Sequence, residues 1–165
     1  MNYLNISTCS LCDGIDVRVV LWVSGCTHYC EGCHNQEAWD FKAGKEFTAK
    51  SMNLLLQAMD HPYVKGLTLS GGDPLNPKNI GQVTKIAQIV KEEFPEKNIW
   101  CYTGYDWTQV QYFPIMKYVD VLVDGKFILS QRDTTLKFKG SPNQNIIDVQ
   151  KSLAEHKLVL FECGE

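Results

Sequence analysis

The sequence predicts an α/β fold, a partial and open β/α barrel of roughly five or six mostly parallel strands. Three observations predict it. Apolar strand-like runs alternate with helix-like segments at intervals of about 30 residues, the rhythm of βαβ units. The residues best suited to chemistry fall where strands end, at Cys26 to Cys33, Gly71 to Asp73, Thr103-Gly104 and Asp124 to Lys126, and α/β folds gather their active sites at that edge. Finally, 165 residues are too few for a complete eight-fold barrel, which takes about 250. A single domain spanning residues 1–165 is therefore expected, with an open side able to admit a loop of another protein.

The elements follow in order. Val17 to Val23 is largely apolar and β-branched, as in a strand buried on both faces, and it ends at Ser24-Gly25. Met52, Leu55, Leu56 and Met59 recur at helical spacing within 48–59. Val64 to Leu69 reads as a strand stopped by Gly71-Gly72-Asp73-Pro74. Residues 79–94 form a helix with Ile80, Val83, Ile86, Ala87 and Val90 along one face and Pro95 ending it. Ile99 to Thr103 is a third strand, and Asp106 caps a short helix running toward Phe113. Val119 to Val123 is a fourth strand, and a last is expected at Leu158 to Phe161. No turn signature points to tight hairpins.

Composition narrows the function classes. A net charge of −3 and a pI of about 5.8 give no electrostatic footprint for nucleic acid. The most apolar early stretch, Ile15 to Val23, is short and carries Asp16 and Arg18, so neither a membrane span nor a signal peptide is read there. A cytoplasmic location is the expectation. In a reducing compartment, seven cysteines point to metal or redox chemistry rather than disulfides. Cys101 lies in an apolar run and Cys163 near the C-terminus, and both read as ordinary thiols.

The remaining cysteines carry the signal. Cys26, Cys30 and Cys33 form C-x3-C-x2-C with no fourth cysteine close behind. Three thiolates hold three corners of a cubane [4Fe–4S] cluster and leave one iron without a protein ligand. An open metal position marks a reactive site, because structural sites close their coordination sphere. The rival reading is structural zinc. Cys9-x2-Cys12 and Cys30-x2-Cys33 are 17 residues apart, a zinc-ribbon spacing that would make the chain a non-catalytic binding module. That reading leaves the other strand-end motifs unexplained.

Those motifs carry a resemblance. Val23-Ser24-Gly25-Cys26, Cys33-His34-Asn35, Leu69-Ser70-Gly71-Gly72-Asp73-Pro74-Leu75, Trp100-Cys101-Tyr102-Thr103-Gly104-Tyr105, Val121-Leu122-Val123-Asp124-Gly125-Lys126-Phe127 and Lys139-Gly140-Ser141-Pro142-Asn143-Gln144 occur in this order. Together, from about Asp13 to Gln150, they resemble the radical S-adenosylmethionine (SAM) superfamily, and within it the activases of anaerobic ribonucleoside-triphosphate reductase. The resemblance implies an enzyme that reductively cleaves SAM at a [4Fe–4S] cluster and leaves a glycyl radical on the reductase. It also implies a barrel of the radical SAM type and an electron donor such as a flavodoxin. An activase of another glycyl radical enzyme, of the formate-lyase type, is the alternative within the class.

The resemblance also implies roles. Cys26, Cys30 and Cys33 would ligate iron, and Gly32, Cys33 and His34 would offer backbone near the adenine. Gly71, Gly72 and Asp73 would receive the methionyl ammonium, Thr103 and Tyr105 would contact ribose or adenine, and Asp124 and Lys126 would orient SAM or the partner loop. Two positions depart from the pattern. Gly32 stands where an aromatic residue often packs on adenine, leaving Tyr29, His34 and Tyr105 as candidates for that contact. Lys139 stands where related chains carry arginine, and lysine lacks the bidentate fork. His28 is not required as a ligand.

Overall fold

The computed structural model describes residues 1–163. Its centre is four parallel strands, β2 (Arg18–Val23), β4 (Gly66–Gly71), β5 (Asn98–Tyr102) and β6 (Val121–Val123), adjacent in that order. Helices α1 (Ala49–Met59) and α2 (Ile80–Glu93), the one-turn α3 (Trp107–Val110) and a 3-10 turn at Pro114–Lys117 make the crossovers. Thr48 starts α1 through a capping box with Ser51. Asp106 does the same for α3 with Gln109.

The flanks correct the sequence expectation. Instead of five or six mostly parallel strands in a partial barrel of the radical SAM type, the described residues build one seven-stranded mixed sheet in the order 45–46, 2–10, 18–23, 66–71, 98–102, 121–123, 146–148. The added strands β1 (Asn2–Ser10), β3 (Lys45–Glu46) and β7 (Ile146–Asp148) all pair antiparallel. Half of the six pairings are therefore antiparallel. The physical reason lies in the connections. Parallel neighbours need a crossover of a dozen or more residues, usually a helix, whereas β1 reaches β2 through the short loop 11–17. The expected strand at Leu158 to Phe161 shrinks to a bridge between Ile147 and Leu160, and a helix not read from the sequence, α4 (Val149–Glu155), follows β7.

Alternation along the strands sorts the core into two faces. Val19, Leu21, Val23, Leu67, Leu69, Ile99, Cys101 and Leu122 pack with Leu55, Met59, Val83, Ile86 and Val90 of the helices. Trp100, Val121 and Val123 point the other way, where Tyr102, Phe138 and Phe161 pack against them. On that helix-free face lies Arg18, fully buried. Its guanidinium donates to Thr68 Oγ1 at 2.7 Å and to the Leu67 and Asn98 carbonyls at 2.8 and 3.3 Å, and it lies 5.3 Å from the Trp100 ring centroid. No helix among the described residues is long and apolar enough to cross a membrane.

Candidate functional site

The cysteine run begins where β2 ends, and backbone hydrogen bonds hold its first residues. Gly25 N donates to Ala38 O at 2.7 Å, Cys26 N to Trp39 O at 3.2 Å, and Asp73 N to Gly25 O at 2.9 Å. Gly25 has φ of +101°, and a Cβ there would enter the Phe41 ring. The Cys26 backbone is thereby held and the residue is buried, while Cys30 and Cys33 are partly exposed on the loop beyond. Cys33 N closes a turn on Cys30 O at 3.1 Å. Gly32, with φ of +71°, lies under Leu129.

All three cysteines are free thiols. Burial pushes the Cys26 thiol up to about 11, with the nearby Asp73, Cys30 and Cys33 charges adding to the effect and the His28 amide opposing it. A bare Cys26 therefore keeps its proton, and a bound cation is what stabilises its thiolate. The His28 amide lies 3.5 Å from Cys26 Sγ, and hydrogen bonds to sulfur are one of the levers that tune iron–sulfur centres. This donor set fits a three-thiolate cluster. It does not fit the zinc reading: thiolates on one zinc ion, each about 2.3 Å from it, must crowd together. Among the described residues the only three donors within 4.8 Å of one another are Cys26, His28 and Asp73.

The strand-end residues divide into two groups. Asp73 is fully buried. Its carboxylate accepts from Leu75 N at 2.8 Å, Thr103 Oγ1 at 3.0 Å, Gly104 N at 3.1 Å and His28 Nε2 at 2.6 Å. Four donors fill the roughly four lone-pair positions of a carboxylate. Asp124 is similarly occupied, by Trp107 N at 2.8 Å and by the backbone and side chain of Asn145, both at 2.9 Å. Gly71 and Gly72 face backbone: a Cβ on Gly71 would strike Val23, and one on Gly72 would strike Gly25 and Ala38. Tyr105 packs edge-on against His28 with ring centroids 4.6 Å apart, and Lys126 is exposed.

A cavity of about 540 Å³ opens on the helix-free face of the sheet, within the size range of small-molecule sites. Gly32 and His34 of the cysteine loop line it together with Trp22, Ser70, Tyr102 and Lys139. Of the residues expected from the sequence, Gly32 and His34 reach this cavity; Cys26, Cys30, Cys33, Gly71, Gly72, Asp73, Thr103, Tyr105, Asp124 and Lys126 do not line it. Sequence reasoning missed Asn76 and Asn79. Asn79 Nδ2 bonds the Ser24, Gly25 and Asp73 carbonyls at 3.0, 3.3 and 3.0 Å, and Asn76 Nδ2 reaches Thr27 Oγ1 at 3.0 Å. The signal available was the two asparagines in the proline-punctuated run after Asp73.

The chain is similar to known proteins. A family model described as a 4Fe-4S single cluster domain matches residues 12–147. The anaerobic ribonucleoside-triphosphate reductase-activating protein of Enterobacteria phage T4 is 41% identical over 146 residues, covering 88% of this chain and 93% of the relative. That of Haemophilus influenzae is 44% identical over 150 residues, covering 88% and 97%. That of Escherichia coli K12 is 36% identical over 148 residues, covering 87% and 96%. With relatives at this level of identity covering most of the chain, and the family model matching residues 12–147, the chain belongs to the family of anaerobic ribonucleoside-triphosphate reductase-activating proteins.

Proposed function

We propose that the protein reductively cleaves SAM and generates a glycyl radical on an anaerobic ribonucleoside-triphosphate reductase, the whole chain working as one radical SAM activase domain. Cys26, Cys30 and Cys33 would hold a [4Fe–4S] cluster. When bound, the cluster supplies a low-potential electron to the sulfonium of SAM. In the overall reaction that electron and one SAM give methionine and 5′-deoxyadenosine, and a glycine Cα of the reductase loses a hydrogen atom. An electron donor of the flavodoxin type provides the reducing equivalent.

The observation that carries this reading is the meeting of the three-thiol loop with the cavity through Gly32 and His34. The chain's part is to place and shield. Backbone at Gly32, Cys33 and His34 borders the space for adenine. Gly71 and Gly72 let the end of β4 close against the backbone of β2 and the cysteine loop, Thr103 and Tyr105 hold Asp73 and His28 beside that loop, and Asp124 and Lys126 shape the loop that meets the partner. The aromatic rings of Trp22 and Tyr102 give the cavity an apolar wall that helps exclude water from a radical reaction.

The test is product formation. Oxygen-free protein, reconstituted with iron and sulfide and supplied with SAM and a strong reductant, is expected to release 5′-deoxyadenosine. With the reductase present it is expected to produce a glycyl radical signal in electron paramagnetic resonance. Cys26→Ala abolishes both. A wild-type protein that binds iron yet forms no 5′-deoxyadenosine refutes the proposal.

A further inference from the structure

The His28–Asp73 contact has no part in the reaction as proposed, yet it is the most heavily supported polar contact of the site. The two side chains are 8% and 1% exposed. A carboxylate can only accept, so Nε2 carries the proton it donates across 2.6 Å. The imidazole is held on two further sides. Tyr105 meets it edge-on, and Gly104 lies so close that a Cβ there would enter the ring. Asp73 is anchored in turn by Thr103 Oγ1 and Gly104 N from the end of β5. One side chain of the cysteine loop thus joins that loop to the ends of β4 and β5.

We infer that His28 is a positioning residue: its bond to Asp73 fixes Cys26 in the folded protein before the cluster arrives, and the Asp73 carboxylate serves this lock rather than a ligand ammonium. The inference rests on the reading of Cys26, Cys30 and Cys33 as cluster ligands. Ligand-orienting partners of this kind are worth about 10- to 100-fold in metal affinity, because each fixes one donor that would otherwise lose conformational freedom on binding.

Two substitutions separate the hydrogen bond from the packing. His28→Gln keeps an N–H donor at a comparable reach, and His28→Leu keeps volume against Tyr105 and Gly104 but has no donor. The first readout uses cluster-free protein: the alkylation rate of each cysteine by iodoacetamide, resolved by peptide mass spectrometry, with far-UV circular dichroism confirming the fold. Cys26 is expected to react at least about ten times faster in His28→Leu than in wild type, because losing a hydrogen bond to a charged group raises local opening by about that factor, with His28→Gln close to wild type. The second readout is iron loss to a chelator from reconstituted protein, expected about 10–100 times faster in His28→Leu and rescued in His28→Gln. Asp73→Asn is expected to match His28→Leu, and the double variant to be no worse than either single one.

Unchanged Cys26 labelling and iron retention in folded His28→Leu overturn the inference, as does full additivity in the double variant. Loss of SAM affinity in Asp73→Asn with Cys26 labelling unchanged also overturns it and returns the carboxylate to the ligand. A wild-type protein that takes up no iron refutes the cluster reading instead, and the labelling comparison still decides the lock.

Discussion

Gly72→Ala is expected to unseat the cysteine loop. A Cβ at this position would lie 2.5 Å from the Gly25 carbonyl oxygen and 2.8 Å from that of Ala38. Both neighbours are backbone, so no side chain can rotate away. Relief requires the end of β4 to move off the loop, at the expense of the 2.9 Å bond from Asp73 N to Gly25 O or the 2.7 Å bond from Gly25 N to Ala38 O. Overpacking in a well-filled region costs about 1–3 kcal/mol, and a lost backbone hydrogen bond about 1 kcal/mol. The sum is roughly 2–4 kcal/mol, a large share of the 5–15 kcal/mol that holds a typical domain together. Gly81→Ala is the internal control. Gly81 is exposed in the first turn of α2, and a Cβ there meets nothing within 4 Å. Alanine is a better helix former by up to about 1 kcal/mol. Urea denaturation of cluster-free protein measures both variants, and iron per chain after reconstitution reports on the loop. A Gly72→Ala protein within about 0.5 kcal/mol of wild type and fully loaded with iron refutes the reasoning.

Arg18→Met is expected to destabilise by about 2–4 kcal/mol, because it removes the buried hydrogen bonds to Thr68 Oγ1 and to the Leu67 and Asn98 carbonyls on the helix-free face; a urea midpoint equal to wild type contradicts this. Cys101 is completely buried, and burial, followed by the charge of Asp73, raises its thiol well above the usual 9.0. Its contribution is therefore fully present below pH about 9 and is lost as the pH climbs toward the folded value, since the unfolded chain ionises first. Urea midpoints at several alkaline pH values should fall less steeply in Cys101→Val than in wild type, and parallel slopes would rule the assignment out. Cys9→Ser/Cys12→Ser is expected to retain full iron content, as both thiols are exposed and neither joins a gathered donor set among the described residues; colorimetric iron and sulfide assays decide it.

How much of this was legible in the sequence depends on distance along the chain. The four parallel strands announce themselves because each is buried on both faces and so reads as a continuous apolar run, as at Val19 to Leu21 or Val121 to Val123. The antiparallel flanks do not. In β1 only Tyr3 is fully buried, amid asparagines, serines and a threonine, and β3 and β7, at two and three residues, are too short to show a period. Their pairing is decided by a neighbouring strand rather than by their own composition. The cysteine motif is legible because its spacing is local. The partners of Asp73 are not: His28 and Thr103 lie 45 and 30 residues away, and only the parallel register that aligns the ends of β2, β4 and β5 brings them together.

The same register explains why the two strand-end aspartates do something other than their motifs suggest. At the carboxyl end of a parallel sheet each loop leaves backbone N–H groups without a ladder partner, and these must be satisfied if buried. Asp73 takes up those of Leu75 and Gly104, and Asp124 those of Trp107 and Asn145. Each carboxylate therefore stitches two loops, and both are buried. A ligand in the cavity meets instead the outward side chains of the strands, Trp22, Ser70 and Tyr102, and the segment carrying Phe138 and Lys139. Substitutions at the aspartates should accordingly act through the position of the cysteine loop and the stability of the sheet edge. Substitutions at Trp22, Tyr102 or Lys139 should act on affinity with the fold intact, and SAM binding by isothermal titration alongside urea denaturation distinguishes the two sets. If Asp73→Asn lowers affinity while stability and Cys26 labelling hold, the division drawn from the hydrogen-bond geometry is wrong.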